Sequence, residues 1–585
     1  ANSGTFNINN ATTLTFNDGG SGGAVTNAVG GIINKSGAGT ATTSVGLSVA
    51  FNNNGTVNVD DGILATGGGG SASGTFDIDA ARQFQMTGGN YTMNAGVQVN
   101  GAGLFNATGG VTTFNGASSG SNGNLGIGGG TLSFASGANF STSGGFTGTS
   151  GTLNGVGTVS FGGASTWSGG TMSGTGVTNL NGGVAITAAN QTINQRTVNL
   201  AGTSSIGAGT LNISNGGTLA NSGTFNINNA TTLTFNDGGS GGAVTNTVGG
   251  IINKSGAGTA TVGSSINFSN SGTLNVAQGT FTITHAVTQH SGTTLTAGAW
   301  NVSGGGTLTF STGSNLTTIG SAASVSLDGA SSTFNRIPTT ASTLTTNQGS
   351  FTLKNDRDIT TANAFTNSGT VTVQDSTTTF TIGATGNLAY TQTGGVTAMV
   401  GGAFIDPGVF NLNAGELRGT GTIESSVIAG AGTNTIAPGL LPGALTINGS
   451  LSLSGSSTLA MEIGGLTQGM LYDYLDVNGV LTLAGMLDLD FINTFENSVT
   501  YSDVFTLATA DSPILGSFSN IASGSRLGTN SIHTFEVWYG AGSPYGANNL
   551  VITGAPEPSR MLLLLGGTLG LMLRRRRGVA GVGAI

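Results

Sequence analysis

Asn2-Ser3-Gly4-Thr5-Phe6-Asn7-Ile8 is the stretch on which the fold turns. In an extended chain Phe6 and Ile8 point to one face, while Thr5 and Asn7 point to the other. The phrase Asn-x-Gly-Thr-apolar-x-apolar returns at Asn53, Asn221, Asn270 and Asn367, and a looser form, Asn-x-x-Gly-Gly-Ile-Ile, at Asn27 and Asn246. The starts at 2, 27 and 53, and again at 221, 246 and 270, are 24 to 26 residues apart. A period of this length marks a repeat array. With short strands and glycine-rich corners it predicts one coil of a parallel β-helix per repeat. Coils stacking at about 4.8 Å would align the apolar residues in inward columns and the Thr and Asn in outward ones. Glycine before the strand is expected to supply a positive φ, and Asn at the corner to tolerate the left-handed region and bond its own backbone.

A longer copy encloses the short one. Residues 1–42 recur at 220–261 with a single change, Ala28 against Thr247, and weaker echoes link 128–139 with 304–315. The expectation is an all-β, elongated parallel β-solenoid over residues 1–435, about 17 coils of about 25 residues. A chain of small sandwiches is disfavoured, because no group of strands closes every hundred residues or so. The segment at 216–227 supplies the residues expected before Ala1, so the sequence reads as N-terminally truncated, with a secretion signal and further repeats upstream.

Composition narrows the function. Only 6% of the 585 residues are charged, 107 are glycine and none is cysteine. Alternating Thr, Val, Ile and Phe is a strand pattern rather than a disordered one. Of the 14 Lys and Arg, five (Arg560 and 574–577) lie in the last thirty residues, leaving nine against 22 acids before Ala555. That balance excludes nucleic acid and anionic lipid as partners of the body. Without disulfides, stability must come from packing and backbone ladders.

Candidate chemistry is sparse. His285 and His290 have no acid nearby and read as a solvent-facing pair. Asp60/Asp61, Asp77/Asp79, Asp356/Asp358 and Asp488/Asp490 match no calcium-loop pattern; they read as solvated strand edges, with a weak calcium site as the alternative. The glycines at 67–70 lack the Lys of a phosphate loop, and His533 beside Glu536 lacks a nucleophile turn. No catalytic residue, metal or cofactor is expected. Outward threonines at 12–15, 280–284, 370–372 and 378–381 raise a water-ordering, ice-binding alternative, although the pairs share no fixed place in every coil. A β-helix polysaccharide lyase or hydrolase is the enzymatic alternative; it would need clustered carboxylates on one face.

From 412 the pattern changes. Ala414-Gly-Glu-Leu-Arg-Gly-Thr-Gly-Thr-Ile423, Ile436-Ala-Pro-Gly-Leu-Leu-Pro-Gly-Ala-Leu-Thr-Ile447 and Tyr472-Asp-Tyr-Leu-Asp-Val-Asn-Gly479 resemble the distal stalk of autotransporter passenger domains. The resemblance implies that 436–554 is a β-rich region that ends and caps the helix. A membrane β-barrel does not follow. In its place, residues 555–585 carry Pro556, Glu557 and Pro558; then an apolar run with Met561, Leu562, Leu563, Leu564, Leu565, Leu569, Leu571, Met572 and Leu573; then Arg574, Arg575, Arg576 and Arg577. Thirteen helical residues span roughly 20 Å against a hydrocarbon core of about 30 Å. Snorkelling of Arg560 and Arg574 makes up part of the deficit. The arginine block fits a cytoplasmic flank.

This order of elements resembles the PEP-CTERM sorting signal of Gram-negative bacteria. The resemblance implies one short C-terminal hydrophobic helix in the inner membrane, and processing near Pro556-Glu557-Pro558 by an exosortase-type membrane protease or transpeptidase. The mature protein would be displayed at the cell surface or in the extracellular matrix, as a structural or adhesin-like partner of exopolysaccharide or other surface glycans.

Overall fold

A computed structural model describes residues 1–37, 41–187, 190–238, 240–383, 387–528 and 534–555. They form an all-β solenoid of about 19 turns with parallel sheets. Among the described residues there is no α-helix, only a 3-10 turn at Phe495–Asn497. The chain divides into two compact units. The first holds Ala1–Asn315, Ala322–Ser324 and Ser331–Arg336; the second holds Leu316–Ser321, Val325–Ala330 and the described residues from Ile337 onward.

In the first unit each turn has three sides. Thr5–Ile8 pairs in parallel with Ile32–Lys35, that strand with Thr56–Val59, and that in turn with Thr75–Ile78. Further turns extend this side into a 13-stranded parallel sheet that ends on Ile266–Asn270. Inward positions carry the core, including the fully buried Phe76, Phe84, Phe105, Phe114, Phe134 and Phe140. Phe84 stacks on Phe105 at 5.5 Å and Phe114 on Phe134 at 5.0 Å. Each such ring contributes about 1.5–3 kcal/mol through burial and about 0.5–1.5 more through the aromatic pairing. Turn length is uneven: Ser36 bonds Asn9, 27 residues back, whereas Ser73 bonds Asn54, 19 back. The step of 24 to 26 belongs to the repeat phrases, and shorter turns separate them.

The motif asparagines bond nearby backbone as expected, but not from the left-handed region. None of Asn2, Asn27, Asn53, Asn221, Asn246, Asn270 or Asn367 is left-handed. In the first unit they form two separate ladders, Asn2–Asn27–Asn53 and Asn221–Asn246–Asn270, and in the second Asn367 accepts from Asn347; all but Asn2 are buried. The Asn27 amide donates to Asn53 Oδ1 at 2.9 Å and to the Gly31 carbonyl at 3.1 Å, and Asn246 repeats this with Asn270 and Gly250. The amide satisfies backbone carbonyls that a tight buried corner would otherwise orphan. Gly4, Gly55, Gly223, Gly272 and Gly369 of the tighter phrase are not at positive φ either. At Gly55 a Cβ would fall 2.2 Å from the Gly31 carbonyl oxygen of the previous turn, so close approach, not backbone freedom, requires glycine there. In the looser form the first glycine does take the expected positive φ, at Gly30 and Gly249.

In the second unit Ser350–Lys354 pairs with Thr370–Gln374, and that strand with a continuous run, Tyr390–Ala429, that forms successive sides. Parallel pairing continues through Ala444–Ile447, Tyr474–Val477 and Val504–Ala510. Then the direction reverses. Asn549–Ala555 lies antiparallel to Val504–Ala510 and to Thr534–Trp538, which pairs antiparallel with Ser525–Gly528. Phe535 is buried against Phe491 at 4.8 Å. Antiparallel strands laid against the last parallel strand occupy an edge that would otherwise template another chain.

Candidate functional site

The outward faces of the first unit carry two kinds of uncharged array. On one, Asn226, Asn253, Asn275 and Asn301 stand in successive turns, each amide donating to the Oδ1 of the one before at 3.0, 2.8 and 2.8 Å. Asn7, Asn34 and Asn58 make a shorter ladder at 2.9 Å per step. A ladder of this kind uses one donor and one acceptor of each amide. Each rung keeps a second N–H and a lone pair for other partners, repeating every ~4.8 Å.

The second array is hydroxyl. Thr259, Thr280, Thr307 and Thr333 align in one column, and Thr210, Thr234, Thr261, Thr282 and Thr309 in the next. Three successive turns therefore carry Thr-x-Thr in register, although, as expected, the pairs share no fixed place in every turn. Uneven turn length hid the alignment. Elsewhere the expectation holds: Thr370 and Thr372 face Ser350 and Thr352 on one side and Val396 and Ala398 on the other.

A shallow groove of about 270 Å³ lies beside Arg82, Gln83, Asn124 and Thr147. Arg82 pairs with Asp61 at 3.0 Å. Burial, then the charges of Asp79 and Asp77, pushes the Asp60 carboxyl above its ordinary range, so two of the four acidic pairs meet across neighbouring turns. The others do not join them. Asp358 accepts the Thr379 N–H at 2.7 Å, and Asp490 stands opposite Glu462. Among the described residues no group of three or more His, Asp or Glu is placed to hold a metal ion. His285 and His290 are half-buried rather than solvent-facing, because the turn packs His290 against Phe310 at 5.7 Å. Burial, with Arg336 nearby, lowers the His290 pKa.

The buried ionic groups are bound to the backbone. Arg196 is fully buried; its Nε donates to Thr178 Oγ1 at 2.6 Å, and its Nη atoms to the carbonyls of Gly155, Ser173 and Val177 at 3.1 Å and of Gly157 at 3.3 Å. Burial lowers its pKa to about 10, still cationic at neutral pH. Lys35 and Lys254, equivalent in the long repeat, are also fully buried. Nothing in the sequence around these cations distinguished them from surface ones.

Residues 556–585 and His533 lie outside the described residues. So do Pro556, Glu557 and Pro558, the apolar segment and the arginine block. Among the described residues no helix is long and apolar enough to cross a membrane. No protein-family model matches the chain, and no curated protein matches it significantly.

Proposed function

We propose that this chain is the exported body of a cell-surface or matrix solenoid, structural or adhesive rather than catalytic, sorted by an exosortase-type system through its last thirty residues. The observation that carries the reading is the uncharged outward amide ladder from Asn226 to Asn301. Amide donors and acceptors at fixed spacing suit polyhydroxylated ligands, and binding to them costs no charge desolvation. Commitment of Arg196, Lys35 and Lys254 to the interior supports a structural use of the few charges present. The terminal Pro-Glu-Pro, apolar and arginine elements support delivery across the inner membrane, with 436–554 as the capping region. C-terminal mass spectrometry on the protein from its bacterial host tests the route. A mature end near Pro556 is expected, and an intact Ile585 held in the inner membrane would overturn it. Glycan-array binding that Asn253→Ala and Asn275→Ala together abolish tests the ladder.

The threonine columns favour a second reading, a face that orders water or docks on a periodic solid. Inhibition of ice recrystallisation by the purified chain, lost in Thr280→Tyr, would support it; no inhibition would dismiss it.

A further inference from the structure

Five large apolar side chains stand in solvent on two loops of the second unit. Leu440 and Leu441 lie between strands Asn434–Pro438 and Ala444–Ile447; Leu466, Met470 and Leu471 lie between Ser457–Ile463 and Tyr474–Val477. Leu441 is 74% exposed and Met470 73%. Residues 439–443 and 464–471 contain no charged side chain.

The loops are held in this posture. Asp473 is buried beneath them, its Oδ1 accepting the Gly443 N–H at 2.9 Å and its Oδ2 the Glu462 N–H at 2.7 Å. Gly464 N–H donates to the Leu471 carbonyl at 2.7 Å, and Gln468 Nε2 to the Thr506 carbonyl at 2.9 Å. A concentrated apolar patch on a fastened scaffold marks a contact surface.

Topology says what lies opposite. Ala444–Ile447, Tyr474–Val477 and Val504–Ala510 run parallel and begin at one edge of the sheet. The two loops precede the first two strands and so stand at that edge. Asn549–Ala555 runs antiparallel to the third, with Thr553 opposite Val504, and ends there too. The exposed Tyr501 and Val504 complete the edge. Ala555 therefore leaves the fold beside the patch, and the apolar segment opens six residues later, at Met561. Six residues reach at most about 20 Å. A segment seated in a bilayer would hold this edge at the bilayer surface at high effective concentration.

We propose that this edge is a membrane-contact surface, with Leu440, Leu441, Leu466, Met470 and Leu471 entering the interfacial zone of the bilayer that residues 561–573 cross. The inference rests on the sorting-tail reading and adds a second, reversible attachment beside it. The body's acidic balance and the uncharged loops select a zwitterionic interface rather than an anionic one. Cleavage of the tail would remove the tether and leave five apolar side chains too weak to retain the body, so release would follow processing.

The absence of cysteine permits a clean test on the full chain. Met470→Cys, Leu565→Cys and the exposed first-unit control Val248→Cys each carry an environment-sensitive fluorophore, in phosphatidylcholine vesicles containing spin-labelled lipid. Strong quenching is expected at 565, shallow-label quenching at 470 and none at 248, with the 470 signal falling severalfold in Leu440→Ser/Leu441→Ser. Quenching at 565 with 470 as wet as 248 would overturn this inference and leave the tail reading intact. No quenching at 565 would overturn both. A blue shift at 470 without lipid would assign the patch to the tail itself or to a second copy, and would also overturn it.

Discussion

Residues 1–42 and 220–261 are almost the same sequence folded twice, and the two copies differ in what covers them. Phe6 is 41% exposed, while its equivalent Phe225 is 1% exposed. Leu14 is exposed where Leu233 is buried. The strand Thr224–Ile227 lies between Thr203–Ile206 and Ile251–Lys254, whereas Thr5–Ile8 pairs only with Ile32–Lys35. Beside the first copy a cavity of about 230 Å³ opens onto Phe6, Ile8, Phe16 and Ile33. Other features are indifferent to position: Asn27 and Asn246 are buried in both copies, and Val29 and Val248 protrude in both. The sequence of a turn determines its own path, and the neighbouring turn determines most of its stabilisation.

The largest expected effect follows from that division. In the 585-residue chain Phe225→Ala should cost about 3–5 kcal/mol and Phe6→Ala less than about 1, although the local sequences are identical. Denaturant unfolding of the two variants measures the difference; equal losses would mean that burial of the ring is not what stabilises the turn.

The glycines sharpen the same contrast. A Cβ at Gly223 would meet the Ala201 carbonyl oxygen at 2.1 Å, while at Gly4 it would meet nothing within 4 Å. Gly223→Ala should destabilise by about 1–3 kcal/mol, as an overpacked site does. Gly4→Ala should be neutral or slightly stabilising, since it only restricts the unfolded chain. A shared loss in thermal midpoint would return the glycine to the positive-φ role that its position in the motif suggested.

The second copy buries one carboxylate, Asp237, and the second unit buries Asp406 and Asp473. Burial raises the Asp473 pKa from 3.8 to about 7, against two backbone N–H donors that favour the anion. The folded state therefore binds more protons than the unfolded chain between those values, so stability falls as pH rises from about 4 to 7 and levels off above. Each unit of separation is worth about 1.4 kcal/mol, giving a few kcal/mol at most. Hydrogen exchange in the strands flanking residues 439–473 should show protection declining over that window, and Asp473→Asn should flatten the decline. Burial raises Asp406 and Glu462 in the same direction, so some slope should remain in the variant.

Strand phase was legible from the start, because alternation in Gly4-Thr5-Phe6-Asn7-Ile8 depends on local geometry alone. The corner was legible only as a position. Its chemistry, an amide donating across turns and a glycine under a neighbouring carbonyl, depends on atoms 20 to 30 residues away. The Thr259–Thr280–Thr307 column was hidden for a related reason, since turns of 19 to 27 residues move stacked residues out of any fixed sequence period. The same drift places the long repeat on different sides. The 13-stranded sheet takes Thr5–Ile8 from the first copy but Gly242–Asn246 from the second. Of the candidate site, the outward Asn positions followed from alternation, whereas the apolar edge around Leu441 and Met470 required the antiparallel return of Asn549–Ala555, which no local pattern announces.

The smallest effect tests the buried lysine that the copies share. Lys254 donates to the carbonyls of Gln278 and Gly256, and burial lowers its pKa; in Lys35 the same burial is opposed by the charge of Asp61. A lowered folded pKa means that the native state holds fewer protons than the unfolded chain just below 10.5, so both lysines make stability rise as pH climbs toward that value. Replacement by Met removes a buried charge while keeping the apolar stem, and should change stability at pH 7 by no more than about 1 kcal/mol. The rise in thermal midpoint between pH 8 and 10 should shrink in Lys254→Met and shrink less in Lys35→Met, because Asp61 already returns part of the lost solvation. An equal change in the two variants would mean that the carboxylate does not reach the amine, and that the difference between the copies ends at the apolar core.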